Sequence, residues 1–435
     1  MILDNKINKI KDYVLIKNGN IYDPFININD TSDILIKNNK IVKVEKNIKS
    51  KSSYLIIDAS NKIVTNGFVD LHAHFREPGY EYKENLKSGS KSAFFGGFTR
   101  VCCMPNTKPV LDSPELINFI NHKSKDLPIY IYPIGSITKN QDGKEMSEIG
   151  EMVNAGIVAI SDDGIPVKNS QILRMALEYS KKFNIPVINH AEDGFLVNDG
   201  IINEGKTSLR LGLPGNPSIS ESTMVFRDLS IAEYVSGKIH IPHISTAKSI
   251  EIVKLFKDKG FDLTCEITPH HLCLTDEILL DYNTNSKVAP PIRSREEQKV
   301  LLNAVKSGLI DCIATDHAPH SIDDKETDIC NAACGMIGME TAFSLVYSTL
   351  IKEKMSINSI IDLFSLNPSK IIGICPNPIK KDSEAEINII DLNKKWVLSE
   401  NHIQSKSLNT PLIGKKLTGK IEYTINKGFI SKHTI

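Results

Sequence analysis

Eight short apolar runs, separated by longer stretches, constrain the fold of this chain more than any other feature. Intervening segments such as "SPELINFINHKSK" and "TAKSIEIVKLFKDKG" begin with Ser or Thr and carry apolar residues at helical spacing. Strands that alternate with helices are typical of a parallel sheet, and eight such units are typical of a closed barrel. The sequence therefore predicts an α/β fold, a (β/α)8 barrel of the TIM type, with strands at 67–74, 98–104, 129–135, 157–163, 185–191, 239–245, 261–268 and 309–316.

Both ends of the chain have a different pattern. Residues 13–66 read as short strands with alternating β-branched residues, cut by the turns "KNGN" and "KNNK", and similar strands begin at 386 and 419. Two all-β flanks around a different middle predict one small β-sandwich domain built from both termini. We place its halves at 1–66 and 376–435, and the barrel at 67–375.

Composition narrows the class of protein. The 52 basic and 52 acidic residues give zero formal net charge, so no overall field attracts nucleic acid or an acidic membrane. The N-terminal segment lacks the pattern of a signal peptide and no apolar run reaches spanning length, which predicts a cytoplasmic protein. The eight cysteines form no C-x-x-C pair and several lie in strand-like runs, which favours buried free thiols.

The first barrel run ends in "DLHAHFREPG", where His72 and His74 are separated by one residue. Side chains two apart on a strand point to the same face, so both imidazoles would project together. Taken alone, the pair fits a polar strand end as well as it fits a metal site. Four later runs resolve the alternatives in favour of metal, because their ends also carry imidazoles or carboxylates.

These later residues come from strands four, five, six and eight. The carboxyl ends of barrel strands meet at one rim, where the chemistry of such barrels takes place. Imidazole and carboxylate are the ligands of zinc and similar divalent ions, and a carboxylate that bridges two ions lets both polarise one water. The strand ends that predict a two-metal site are Asp162 and Asp163, His190, His243, and Asp316.

Seven motifs occur in a recognisable order along the chain: "DLHAHFREPG", "MPNT", "SDDG", "HAED", "HIST", "TPHHL" and "ATDHAPH". Together they resemble the dihydroorotases of the amidohydrolase superfamily, and more narrowly the bacterial type I enzymes, over essentially the whole chain. The resemblance implies a barrel with a flanking β domain and two zinc ions per chain. It implies that His72, His74 and Asp316 bind the more buried ion, and that His190 and His243 bind the more exposed one.

The resemblance also implies that an aspartate of "SDDG" bridges the two ions. Its spacing to His190 favours Asp163 over Asp162 without deciding between them. Several relatives, hydantoinases among them, use a carboxylated lysine as the bridge. Strand four offers no lysine at its end, because Lys168 lies beyond the turn, and this favours the type I dihydroorotases.

Substrate contacts follow from the same resemblance. Arg76, two residues past the ligands, would share their face and bind a substrate carboxylate through a bidentate guanidinium. The other implied contacts are His74, Asn106, Ala289, His320, and the backbone of Cys334 and Gly335. Ala289 in "KVAPPIR" departs from the family, which often has Asn at this position to contact the pyrimidine ring, and the change puts that hydrogen bond in doubt.

The implied activity is the reversible cyclisation of N-carbamoyl-L-aspartate to L-dihydroorotate in pyrimidine biosynthesis, with Asp316 as the catalytic proton acceptor and donor. Another cyclic-amide hydrolase, such as a hydantoinase or allantoinase, is one alternative, and a non-catalytic scaffold for a pyrimidine-pathway partner is another. The resemblance is also compatible with a homodimer or with association with an aspartate transcarbamoylase, which the sequence leaves open. The substrate is small, and neither nucleic acid nor a membrane is an expected partner.

Overall fold

The computed structural model describes residues 4–433 and has at its centre a ring of short parallel strands. Each of the eight apolar runs contributes one strand, and each strand is shorter than its run. Several strands are only two residues long, so the side chains that follow them leave the sheet at once. In chain order the barrel strands are β1 (Phe68–Ala73), β2 (Phe98–Cys103), β3 (Tyr130–Pro133), β4 (Ile160–Ser161), β5 (Val187–Ile188), β6 (Ile239–Ile241), β7 (Leu263–Ile267) and β8 (Cys312–Ile313).

Parallel pairing closes the ring. Strands β1–β3 pair in order, and β4–β8 pair in order. A bridge between Gly135 and Ile160 joins β3 to β4, and a bridge between Ala73 and His317 joins the end of β8 to β1. Across this last junction His74 N donates to the His317 carbonyl at 2.9 Å. The predicted (β/α)8 barrel is thereby confirmed.

The longer helices cover the outside of the barrel because each buries apolar side chains against it. Helix Ala247–Asp258, for example, begins at Thr246, whose side chain accepts a hydrogen bond from Ser249 N, and it buries Ile250, Val253 and Phe256. Within residues 4–433 the α-helices are Leu86–Phe95, Pro114–Ser124, Ile149–Asn154, Ser170–Ser180, Gly194–Val197, Lys206–Leu211, Ile219–Val235, Ala247–Asp258, Pro269–Cys273, Arg295–Lys306, Ile322–Lys325, Ala342–Leu350, Ile357–Phe364 and Leu366–Ile372.

The flanking strands form a second sheet from both ends of the chain. Strand Ile63–Asn66 pairs with Tyr13–Asp23 on one side and with Ile387–Val397 on the other, which joins the two termini. Isoleucine side chains from strands near both edges of the sheet belong to one buried apolar core, as a sandwich requires. Among the described residues its strands are Asn8–Lys9, Tyr13–Asp23, Ile28–Lys37, Lys40–Glu45, Leu55–Asp58, Ile63–Asn66, Ile387–Val397, Lys416–Asn426 and Phe429–Lys432. The exact limits of the two domains stay a prediction.

A buried ion pair joins the β domain to the barrel. Arg100 on β2 donates from Nε and Nη2 to the two carboxylate oxygens of Glu386, each at 2.9 Å. The same carboxylate accepts from Thr99 Oγ1 at 2.7 Å and from Asn377 N and Nδ2 at 2.9 and 3.0 Å. The third guanidinium nitrogen of Arg100 donates to Tyr132 OH at 2.7 Å. Every polar atom of this pair therefore has a partner from the chain.

The prediction for the cysteines is only partly correct. All eight are free, and Cys102, Cys103, Cys265 and Cys312 are buried in barrel strands. Three others, Cys330, Cys334 and Cys375, are exposed, which the prediction had wrong, because they lie in loops and not in apolar runs. Between residues 4 and 433 no helix is long and apolar enough to cross a membrane.

Candidate metal centre and substrate cavity

The predicted metal ligands converge at the carboxyl end of the barrel. His72 lies in β1, while the other five follow directly after β1, β4, β5, β6 and β8, where the backbone turns away from the sheet. Two of these turns require left-handed backbone, since φ is 33° at His243 and 46° at Asp316. Such conformations are costly for residues other than glycine and occur most often at functional sites. All six side chains are buried: His72, His74, Asp163, His190, His243 and Asp316.

Asp163 lies between two pairs of imidazoles. Its Oδ1 is 3.3 Å from His72 Nε2, and its Oδ2 is 3.5 Å from His74 Nε2. On the other side, Oδ1 is 3.7 Å from His243 Nε2 and 3.8 Å from His190 Nδ1. The two groups of potential ligands therefore share this one carboxylate, which is the arrangement that two ions with a common bridge require.

Asp162 has a different environment. Its Oδ1 accepts hydrogen bonds from the backbone of Ile137 and Thr138 at 2.8 and 3.1 Å, and its Oδ2 accepts from Thr138 Oγ1 at 2.5 Å. These three bonds occupy the carboxylate and fix the loop that follows β3. Of the two candidates that the sequence left open, only Asp163 lies among the imidazoles.

Asp316 approaches the first pair of imidazoles from the neighbouring strand β8. Its Oδ1 lies 3.0 Å from His74 Nε2 and 3.5 Å from His72 Nε2. Burial alone would raise the pKa of this carboxyl group, but the imidazoles of His72 and His74 outweigh burial and lower it below its usual value. Asp316 is therefore a carboxylate at neutral pH.

The donor set fits a divalent cation. His72 Nε2 is buried, points toward Asp163, and has no hydrogen-bond partner among residues 4–433. The two groups are His72–His74–Asp163 and Asp163–His190–His243, and within each the candidate ligand atoms lie within 4.8 Å of one another. Imidazole nitrogens and carboxylate oxygens this close together suit zinc or a similar ion, because their lone pairs would all point at the same positive charge.

The carboxylates also control the charge of the imidazoles. Burial lowers the pKa of His72, but Asp163 and Asp316 raise it well above its usual value. For His190, burial is likewise outweighed by Asp163 and Glu192, which raise the pKa to about 10. This strong negative potential is the electrostatic environment that favours a bound cation.

Polar residues behind the imidazoles fix their orientation. His72 Nδ1 lies 2.8 Å from Glu266 Oε1, and His190 Nε2 lies 3.0 Å from Glu192 Oε2. Both carboxylates have a pKa of about 2, because the neighbouring imidazoles outweigh the effect of burial. Such outer hydrogen bonds select the tautomer in which the other nitrogen is free for metal. The sequence analysis assigned no role to either glutamate.

A cavity of about 360 Å³ opens onto this cluster, a size suited to a small metabolite. Every predicted substrate contact lines its wall, together with three residues that were not predicted, Gly164, Glu192 and Ala318. The predicted residues in the wall are His74, Arg76, Asn106, Ala289, His320, Cys334 and Gly335.

Arg76 lies at the cavity, but alternation along strand β1 does not explain its position there. Strand β1 ends at Ala73, and Arg76 itself has left-handed backbone with φ of 61°. Its Nε donates to the Pro319 carbonyl at 3.1 Å, and its Nη2 lies 3.3 Å from His320 Nε2. The guanidinium is thus held at the cavity wall by the loop that follows β8.

Comparison with known proteins agrees with this geometry. Residues 61–249 match the family model described as "Dihydro-orotase-like". The dihydroorotase of Caldicellulosiruptor saccharolyticus is 44% identical over 422 residues, which cover 96% of this chain and 98% of that protein. The dihydroorotase of Acetivibrio thermocellus is 45% identical over 417 residues, which cover 95% of this chain and 98% of that protein.

The chain belongs to the dihydroorotase family. It is therefore a metal-dependent cyclic amide hydrolase of the amidohydrolase superfamily. Among solved structures, the L-hydantoinase of Arthrobacter aurescens superposes with a TM-score of 0.84 at 22% identity and covers 97% of both chains. That likeness shows the shared fold, a barrel with a β-sandwich domain, and no more.

Lys168 and Ala289 are the two positions at which the sequence was compared with its relatives. Lys168, the nearest lysine after β4, is exposed and lies over the Phe195 ring at 5.5 Å, away from the imidazoles. Ala289 lines the cavity with a methyl group, so the side chain here offers no hydrogen bond to a ring.

The C-terminal part of the chain also supports the cavity, a role that was not predicted. Asn409 Nδ2 donates to the carbonyls of Ala318 and Gly335 at 3.0 and 3.1 Å, and Asn409 Oδ1 accepts from His320 N at 3.1 Å. Nearby, Ser405 Oγ donates to Glu84 at 2.5 Å. A segment far from the barrel in sequence therefore holds three cavity-lining residues in place.

Proposed function

We propose that the cavity catalyses the reversible interconversion of L-dihydroorotate and N-carbamoyl-L-aspartate, a step of de novo pyrimidine biosynthesis. The observation that carries this proposal is the presence of the Arg76 guanidinium in the same cavity as the imidazole and carboxylate cluster. Both compounds contain an amide group that would react at the imidazole and carboxylate cluster. Both also contain a carboxylate that would bind the Arg76 guanidinium. A plain hydantoin lacks that carboxylate.

Two zinc ions are the proposed cofactors. His72, His74 and Asp316 would hold the more buried ion, His190 and His243 the more exposed ion, and Asp163 would bridge them. When bound, the ions would supply Lewis-acid activation of water and of the substrate carbonyl. The chain provides the ligand geometry and the outer carboxylates Glu192 and Glu266 that orient two of the imidazoles.

Asp316 is the proposed general base and acid. In the hydrolytic direction it accepts a proton from the attacking water and returns that proton to the departing ring nitrogen. The group is ionised at neutral pH and therefore begins the cycle able to accept a proton. Its buried position beside His72 and His74 keeps it at the carboxyl rim, where the reacting amide would lie.

The proposed carboxylate site consists of Arg76, Asn106 and His320. A bidentate guanidinium contact fixes both the position and the plane of a carboxylate. Asn106 Oδ1 lies 2.8 Å from His74 Nδ1, which fixes the amide, while Asn106 Nδ2 makes only long contacts to Asp163, at 3.3 and 3.4 Å, and is the donor that would bind a substrate oxygen. Backbone atoms of Cys334 and Gly335 would contact the ring, which would be held for attack with little freedom.

A substrate panel tests the proposal. Purified protein loaded with zinc should hydrolyse L-dihydroorotate and form it from N-carbamoyl-L-aspartate, while hydantoin and allantoin should be poor substrates. Preferred turnover of hydantoin or allantoin would favour the first alternative. Absence of any turnover in protein that holds two ions would favour the scaffold alternative.

Assembly and location also belong to this proposal. Phe195, Leu209 and Tyr234 are each more than three-quarters exposed and are available for contact with another protein. We propose association with a second copy or with an aspartate transcarbamoylase, to be tested by sedimentation with and without that enzyme. A cytoplasmic location fits the soluble substrates of the proposed reaction.

A further inference from the structure

Lys83 lies beside the cavity in a defined environment. Its Nζ is 3.1 Å from Asp324 Oδ2 and 3.3 Å from His320 Nδ1. The ammonium also lies over the rings of Tyr80 and Tyr82, 5.7 and 5.5 Å from their centroids. The side chain is largely buried, so its charge is held in one place.

The contact with Lys83 determines which nitrogen of His320 carries the proton. An ammonium group only donates hydrogen bonds, so Nδ1 of His320 must offer a lone pair. In a neutral imidazole the proton is then on Nε2. This agrees with the 2.8 Å distance from His320 Nε2 to the Cys334 carbonyl, an acceptor.

The same assignment leaves Arg76 without an acceptor on the His320 ring. Its Nη2 lies 3.3 Å from His320 Nε2, and in this tautomer both nitrogens are donors that cannot bond to each other. One carboxylate oxygen is able to accept from both. In the opposite tautomer, Nε2 would accept from Arg76 and present no donor to an anion.

We propose that Lys83 is a positioning residue for the carboxylate site: it holds His320 as the Nε2–H tautomer, so that a substrate oxygen takes the place of the Cys334 carbonyl as acceptor and binds both His320 and Arg76. This inference rests on the proposed function. Lys83 itself does not line the cavity, so it acts through His320.

The charges around His320 also keep the imidazole neutral. Burial, Arg76, Lys83 and Lys325 together lower its pKa to about 2, and Asp324 opposes them only in part. Over the working pH range His320 therefore contributes a neutral donor. Removal of Lys83 takes away both the tautomer lock and one of the three positive charges.

Kinetics of two variants test the proposal. Lys83→Met should raise KM for dihydroorotate about tenfold, the effect of one hydrogen bond, with kcat and metal content within about twofold of wild type. Lys83→Arg should restore most of the affinity, because it also donates to Nδ1. Lys87→Met, which changes an exposed lysine of the next helix, is the matched control and should leave KM unchanged.

Rescue by the conservative variant distinguishes this role from a general structural one. Burial and Arg76 still lower the pKa of His320 in Lys83→Met, so the tautomer of the imidazole changes in that variant and its charge does not. Failure of Lys83→Arg to restore the affinity would mean that the loop is merely loosened and would overturn the proposal. So would wild-type KM in Lys83→Met.

A direct measurement remains informative even if Lys83→Met does not fold. In native protein with ¹⁵N-labelled histidine, two-bond ring correlations should show His320 with its proton on Nε2, assigned by loss of the signal in His320→Gln. A proton on Nδ1 would contradict the proposal. Failure of the wild-type enzyme to use dihydroorotate would instead refute the proposed function and leave the tautomer result standing.

Discussion

Buried charged groups have hydrogen-bond partners from the chain at the junction with the β domain, but much less so at the rim of the barrel. At the junction, Glu386 accepts from Arg100, Thr99 and Asn377, so each carboxylate oxygen is satisfied by the chain. At the rim, the oxygens of Asp163 face imidazole nitrogens at 3.3 to 3.8 Å, and His72 Nε2 has no hydrogen bond to any described residue.

The difference separates a structural pair from a binding site. A buried charge destabilises a protein unless its partners are present, and the junction supplies them from its own residues. The rim instead gathers imidazoles and carboxylates, the ligand types that favour a cation from outside the chain. Satisfaction by internal donors, and not the number of charges, is the distinguishing feature.

Removal of metal should have the largest effect on activity, and it should affect the rim but not the junction. Purified protein should contain about two divalent ions per chain, and chelation should abolish activity while zinc restores it. The junction has no need of a cation, so circular dichroism should show the β domain still folded after chelation. Metal analysis and turnover are measured on the same sample. An active protein without metal would contradict the assignment of the rim.

Asp316→Asn should have the next largest effect. The amide oxygen is still able to coordinate an ion, but the group does not accept a proton at neutral pH. We expect turnover to fall by about 10²–10⁴-fold, the usual loss of a general base, while much of the metal is retained. Turnover within a few-fold of wild type, with both ions present, would leave Asp316 a ligand only.

Arg100→Met tests the junction between the barrel and the β domain. It leaves the Glu386 carboxylate buried without its cation, which should lower the free energy of unfolding by about 3–5 kcal/mol. Urea denaturation measures this loss, and Glu386→Gln is the matched variant. Metal content of the folded fraction should be unchanged. Loss of metal without loss of stability would mean that the junction and the rim are not separate.

Arg76→Leu removes the positive charge that we propose binds the substrate carboxylate. Because its proposed partner arrives only with the substrate, KM should rise by an amount equivalent to about 2–5 kcal/mol while unfolding is little affected. Steady-state kinetics with dihydroorotate, combined with thermal unfolding, check both halves. Wild-type KM would show that the guanidinium does not bind the carboxylate.

Lys325 should give the smallest effect, because backbone carbonyls stabilise its buried charge. Its Nζ donates to Ala333 and Thr284 carbonyls at 2.6 and 3.0 Å, and burial lowers its pKa to about 8. The unfolded chain keeps a lysine pKa near 10.4, so it binds more protons than the folded chain between pH 8 and 10.4, and stability rises with pH there.

Between pH 8 and pH 9 this contribution amounts to about 1 kcal/mol. The unfolding free energy of wild type should therefore gain that much more over this interval than that of Lys325→Met. Denaturant titrations at both pH values measure the difference. Parallel curves for the two proteins would show that the folded chain does not perturb this lysine.

Much of the site could be predicted because the barrel makes it depend on strand ends. Histidines and aspartates that follow apolar runs, such as His190 and His243, are visible in sequence, and a barrel brings any such residues to one rim. Their roles as ligands stay a prediction. Arg76 was expected on the face of β1, but the strand ends at Ala73 and the backbone turns, which alternation cannot describe.

The supporting residues were not predictable in the same way. Glu266 lies inside the apolar strand β7, where a carboxylate reads as an irregularity unless its partner His72, nearly two hundred residues away, is known. Asn409 lies between the two long strands of the C-terminal segment, Ile387–Val397 and Lys416–Asn426. Only the tertiary structure shows its contacts with the barrel. "HAED" offered one local signal, since a glutamate two residues after a ligand is well placed to orient it.

The position of Asn409 has a consequence for synthesis of the protein on the ribosome. Chains emerge from the amino end, so the whole barrel and its six predicted ligands are translated before Asn409 and the strand Lys416–Asn426 appear. Until then His320 and Gly335 lack their bonds to Asn409, and Ile63–Asn66 lacks the neighbour Ile387–Val397. A nascent or prematurely terminated chain would carry every ligand yet lack a finished cavity, which ties activity to completion of translation.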